Sequence, residues 1–242
     1  MFLMPCPLRR GMTAVRATVR SALRDRSGLA LIEFAYILPL MLTVGLAGTE
    51  TANLAIVTLR INQLAMLAAD NAARVRGTMD ETDVNEVMIG MRFAGSNIKF
   101  GERGRVIISD IESNLLPITG GLLGNKITWQ RCFGAKNASS MYGPEGTGAL
   151  SSVLKYGVLP TGIATATSNP AGTVPVPGGA LIVAEIRYTY QPLVAGMFMG
   201  TRELKAVQTF PVRERAGQAL TNSTSMPDTA KRLCDAAHLS AT

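Results

Sequence analysis

The chain has 242 residues, of which 47% are hydrophobic and 17% charged, with a formal net charge of +7. It is too apolar for a disordered chain, and three cysteines are too few for a disulfide scaffold. The basic excess is local: six arginines from Arg9 to Arg26 stand against Asp25 before residue 29, so of 24 basic and 17 acidic side chains only 18 and 16 lie beyond. A nucleic-acid partner needs cations clustered on the folded domain, and that near balance argues against one.

Residues 1–28 read as a basic leader of net +5 on the cytoplasmic side, by the excess of positive charge before an apolar segment. From Leu29 to Gly48 runs an apolar stretch of about the 20 residues that a helix needs to cross a bilayer. Its one charge is Glu33. A carboxylate in such a segment costs roughly 2.5 to 3.5 kcal/mol on insertion scales, and ten strongly apolar neighbours at about 0.3 to 0.6 kcal/mol each outweigh it. A buried core helix is the alternative, disfavoured by the lopsided flanking charge. Three kinds of N-terminus fit the pattern: a secretory signal cut near Gly45-Leu46-Ala47, an uncleaved signal anchor, or cleavage after Gly28. The anchor explains the topology but gives Glu33 no purpose.

Pro39 predicts a kink, and the helix is expected to continue beyond the apolar run. Leu54, Val57, Ile61, Leu64, Ala68 and Val75 form one apolar stripe, suited to packing on the chain's own domain as well as on a partner helix. Unbroken, residues 29–76 would measure about 72 Å. Gly77 reads as a stop, and Thr78-Met79-Asp80-Glu81 as a capping box opening a second helix to about Arg92. The acids Asp80, Glu81, Asp83 and Glu86 lack the spacing of a calcium loop and are expected to serve the helix dipole and solvation.

From Gly104 the period shifts towards strands: Arg105–Ile111, Lys126–Phe133, Leu181–Tyr190 and Glu203–Val212. They predict an α+β fold, with an antiparallel sheet packed on the long helix. Trp129, Tyr188 and Tyr190 belong to its packing rather than to a binding face. Residues 161–179 are too poor in large apolar groups to build a core and read as a flexible surface loop. The exported part, residues 77–242, is long enough to bury its own core.

No nucleophile elbow, metal-protease motif or phosphate loop is present, and the one histidine, His238, sits in the expected C-terminal tail. The residues therefore point to no enzyme and no cofactor or metal. Cys6 falls in the leader, which leaves Cys132 and Cys234 as an even pair in a compartment that permits disulfides, with two buried free thiols as the alternative.

A basic leader ending at Gly28, with glutamate as the fifth residue of the following apolar helix, resembles a prepilin or pseudopilin. More specifically, Gly28-Leu29-Ala30-Leu31-Ile32-Glu33-Phe34-Ala35 followed by Pro39 is similar to the N-terminal signature of TadE-like proteins of the tight-adherence (Flp-type) pilus system. The resemblance covers about a dozen residues. It implies cleavage between Gly28 and Leu29 by a prepilin peptidase, and assembly through Glu33 and Phe34 with other pilin or pseudopilin subunits and the pilus assembly machinery. It also implies a pilin-like fold on a single-pass helix in a bacterial inner membrane, with the C-terminal domain periplasmic and possible incorporation into a cell-surface pilus. The physical reason for Glu33 is independent of the family: cleavage creates an α-amino group at Leu29, about one helical turn away, and an ammonium partner offsets much of the cost of a buried carboxylate. The competing readings are an uncleaved, TadG-like membrane assembly factor and a membrane-anchored exported enzyme or ligand-binding domain.

Overall fold

A computed structural model of the chain describes residues 28–115, 122–148, 179–194, 200–213, 215 and 217–240. The expected leader as far as residue 27, with Cys6, and the expected surface loop as far as residue 178 lie outside the described residues. The chain divides into two units, Met1–Thr51 and Ala52–Thr242.

Helix α1 spans Leu29–Arg74 and passes through Pro39 as helix. In the first unit its large apolar residues, from Leu29 to Leu46, are exposed. It is the one helix among the described residues long and apolar enough to cross a membrane, a property that signal sequences share. The ring of Pro39 removes one amide from the helical ladder, a loss that water or side chains must make up. Thr43, Thr49 and Thr51 return their hydroxyls to carbonyls three or four residues back.

The second unit is α+β. After α1 come α2 (Glu81–Ala94), a 3-10 turn (Ser96–Ile98) and the short α3 (Phe100–Arg103). Strands β1 (Gly104–Leu115), β2 (Leu122–Phe133), β3 (Ala180–Tyr190) and β4 (Arg202–Pro211) follow. They form one antiparallel sheet in the order β2-β1-β3-β4. A bulge between Asp110 and Ile111 shifts the β1–β2 register, so Asp110 faces Trp129 while Ile111 faces Ile127.

The alternation of side chains sorts the sheet into two faces. Val106, Ile108, Trp129, Ile182, Ala184, Ile186, Tyr188 and Tyr190 join the core that also contains Val57, Ile61, Leu64, Ala68 and Ala72 of α1 and Val84, Met88 and Met91 of α2. Tyr190 accepts from Asn53 Nδ2 at 2.8 Å and Tyr188 donates to the Ile98 carbonyl at 2.7 Å, so both phenols are satisfied at the core's edge. Ile111, Ile127, Leu181, Val183 and Tyr142 make a smaller core on the opposite face. There Gln130 Nε2 donates to Ser109 Oγ at 2.9 Å and to the Gly143 carbonyl at 3.2 Å, tying the segment after β2 to the sheet. Gly134 begins that segment at φ 118°, where a Cβ would lie 2.2 Å from the Gly104 carbonyl oxygen, so only glycine fits.

Helix α2 begins later than its expected cap. Asp80 is the N-cap and Asp83 completes the box, while Thr78 stays outside. Parallel bridges from Gly77 to Arg215 and from Asp80 to Thr221 hold residues 77–80 out of the helix, which moves its start two residues on.

The outer edge of β2 is covered without a strand. The Ile127 N–H donates to the Thr147 carbonyl and the Ile127 carbonyl accepts from the Gly146 N–H, both at 2.9 Å. The Gln130 N–H donates to the Glu145 carboxylate at 3.0 Å, and the Cys132 N–H to the Arg232 carbonyl at 2.7 Å. Buried backbone donors need such partners, and an open edge invites pairing with another chain.

Candidate functional site

The residues expected to serve processing and assembly, Gly28, Leu29, Glu33 and Phe34, lie together at the start of α1. Gly28 occupies the turn before the helix, and its carbonyl accepts from the Ile32 N–H at 3.2 Å. Leu29 is the first helical residue, and Glu33 follows four positions later, on the same helical face. Glu33 is exposed and its carboxylate has no partner among the described residues. Phe34 is 62% exposed, and Leu31, Tyr36 and Leu40 are exposed around it. The arrangement is one acid, one turn in, on a helix whose apolar surface the first unit leaves uncovered.

Cys132 and Cys234 are joined in a disulfide across 102 residues, with their Cα atoms 4.9 Å apart. It fastens the C-terminal segment to β2. His238, expected in a loose tail, instead closes a turn: its Nδ1 meets Asp235 Oδ1 and its Nε2 lies 2.9 Å from the Asp228 carbonyl. The Asp235 carboxylate raises the His238 pKa, against a smaller opposing effect of burial.

Three buried ionic sites carry no simple signal in the sequence. Arg131 points towards α2, where its Nε donates to both oxygens of Glu81 at 3.0 and 3.1 Å and its Nη1 to Glu145 at 2.8 Å. Glu81, expected as a solvated first-turn acid, is only 4% exposed, because this pairing draws it inward. Burial, the largest single influence, would lower the Arg131 pKa, but the Glu81 and Glu145 carboxylates together outweigh it and the pKa rises. On the other face, Glu185 accepts from Ser140 Oγ and from the Met141 N–H, and burial pushes its pKa upward against those bonds.

The third site is Asp110. It is fully buried, and neither carboxylate oxygen has a hydrogen-bond partner of good geometry among the described residues. Burial, reinforced by the Glu112 charge, pushes its pKa up to about 8, although Arg215 and Lys126 pull the other way. Arg215 Nη2 donates to the Ala72 carbonyl at 2.7 Å at the end of α1, while its Nε and Nη1 are buried without partners among the described residues. A neutral carboxyl is the form that such a site favours. A cation among the strand apolars Trp129 and Phe133 is the one sequence cue to the first site; the other two leave none beyond a polar residue on a buried face.

No group of three or more histidine, cysteine or acidic side chains is placed to hold a metal among the described residues. Beyond residue 52, α1 also shows a second apolar face. Ile56, Leu59, Met66 and Leu67 are exposed on the side opposite the buried residues, with Phe93 of α2 66% exposed as well. Compared with family models, curated proteins and solved structures, the chain matches none of them.

Proposed function

We propose that the protein is a TadE-like minor pseudopilin, or pilus-assembly protein, of a tight-adherence pilus, matured by a prepilin peptidase and acting structurally. The observation that carries this reading is Glu33: one carboxylate without a partner among the described residues, on an exposed apolar helix, about one turn after Gly28. A carboxylate in apolar surroundings calls for a cationic partner, and a new α-amino group at Leu29, on this subunit or a neighbour, is of the right charge. The exposed face of α1 with Ile56, Leu59 and Met66 supports the same reading, since large apolar surfaces left open commonly mark interaction sites. In this role the first unit sits in the inner membrane and the second in the periplasm, and Phe34 packs beside Glu33 against other subunits.

The test is the mature N-terminus, read by intact mass and terminal sequencing of protein purified from its native membrane. A start at Leu29 supports pseudopilin processing. An unprocessed start favours a permanent TadG-like anchor, and a start near Gly48 a secreted protein. Glu33→Ala separates assembly from folding: it should abolish piliation while the exported unit keeps its far-UV spectrum. Normal piliation at normal protein level would remove the assembly role of Glu33.

A further inference from the structure

Residues 217–240 contain no strand and only one 3-10 turn, Ala236–His238, yet they are anchored along their length. The anchors fall into two sets. In the first, Thr221 exchanges backbone bonds with Met79 and Glu81 at 2.8 and 2.9 Å, and the Ser223 N–H donates to Asp80 Oδ2 at 2.7 Å. Then comes a tight turn, Asn222 to Met226, closed by the Asn222 side chain through bonds of 2.7 and 3.0 Å to the Met226 backbone. Ser225 within it has φ 50°, a left-handed conformation that side chains other than glycine adopt at a cost.

Beyond that turn the second set holds the chain by single contacts. Arg232 Nε donates to Asn85 Oδ1 at 2.8 Å, the Arg232 carbonyl accepts from the Cys132 N–H at 2.7 Å, and the Asp235 carbonyl accepts from Arg105 at 3.4 Å. The covalent contact is Cys132–Cys234. Among the described residues no apolar side chain after Leu220 belongs to the main core or packs against it, and the one ring contact is the Arg232 guanidinium, 5.6 Å from the centroid of Phe133. The disulfide lines a cavity of about 220 Å³ whose other walls include Ser139, Ser140, Gly143 and Pro144. Cys132 is buried and Cys234 half-buried, so Cys234 is the more exposed half of the cystine.

We propose that residues 226–240 form a strap locked by this disulfide, and that a dithiol reductant entering the cavity unlocks it while the sheet and helices stay folded. A reductant thiolate forms a bond to Cys234 Sγ and breaks the Sγ–Sγ bond, and Cys132 leaves as a thiolate that takes up a proton. The second thiolate of the reductant then attacks the mixed disulfide, releasing Cys234 as a thiol and the reductant as its own disulfide. Two electrons and two protons pass to the cystine. Release pivots on the Asn222–Met226 turn and frees Asn85 on α2, the ring of Phe133 and the Cys132 N–H.

Hydrogen exchange of the full chain in detergent micelles, with and without dithiothreitol under native conditions, tests this. After reduction, amides of residues 226–238 should exchange at least about tenfold faster, while those of β1 and β3 keep their protection, as local opening requires. The double variant Cys132→Ser with Cys234→Ser should show the same pattern without reductant. A disulfide that is reduced only as fast as the whole sheet unfolds would overturn the proposal, and so would a strap that stays protected once reduced.

Discussion

Arg131 and Glu81 form a buried ion pair that joins β2 to the first turn of α2 across 50 residues of sequence, with both Glu81 oxygens within 3.1 Å of Nε. Glu81 also sits where the unpaired amides of the helix start favour negative charge.

Removing one member leaves the other charged and buried, so Arg131→Met should cost about 3 to 5 kcal/mol in urea denaturation. Glu81→Leu combined with Arg131→Met should recover most of that loss. Strictly additive losses would show that the two side chains do not act as a unit.

Asp110 gives stability a pH dependence of unusual sign. Its pKa is raised in the folded state, from an ordinary 3.8 to about 8, so across that window the folded chain holds a proton that the unfolded chain has released. The Asp110 contribution is intact below about 3.8 and is lost as pH rises towards 8. Asp110→Asn should remove this decline and raise stability near neutral pH by on the order of 2 kcal/mol. Parallel pH profiles for variant and parent would refute the assignment.

Asp80 behaves oppositely. Its carboxylate accepts from the Ser223 N–H and then the Thr82 N–H, and these bonds hold its pKa far below the usual range. Its stabilisation is complete above the ordinary carboxylate pKa and is given up only in strong acid. Asp80→Ala should cost about 1 to 2 kcal/mol near neutral pH, the usual loss for an N-cap, and the difference should vanish under strongly acidic conditions.

The exposed face of α1 should matter to partners and not to folding. Leu59→Lys with Met66→Lys should leave the thermal midpoint within a few degrees, as surface changes usually do, and, on the pseudopilin reading proposed above, should abolish co-purification of pilus subunits. A large drop in the midpoint would mean instead that this face supports the second unit itself.

The strands were legible because apolar and β-branched residues alternate in them, and each expected core segment lies within an observed strand except at Val212, just past the end of β4. β2 starts at Leu122, before the expected Lys126, because pairing with β1 carries Gly124 and Asn125 into the sheet against their own preferences. The cap of α2 was ambiguous, since Thr78 and Asp80 both precede an acid by three residues, and only the bridges to Arg215 and Thr221 decide between them. The cysteine pair emerged once Cys6 was set aside with the leader. The buried charges were hidden for a physical reason: Glu81, Arg131, Asp110 and Arg215 find their surroundings through tertiary contacts that local pattern does not encode. The exposed Glu33 was the most visible site residue because a charge in an apolar run contrasts with every neighbour.

The covered edge of β2 has a consequence for self-association. Among the described residues, β4 is the one strand whose outer edge no other segment pairs, and it carries Glu203, Lys205 and Pro211, residues that discourage edge pairing. A stack of sheets grows only if every molecule offers two edges, one for each neighbour. Where β4 is the single free edge, contact through it terminates at two molecules, so the second unit can crowd at high local concentration without seeding a fibre by this route.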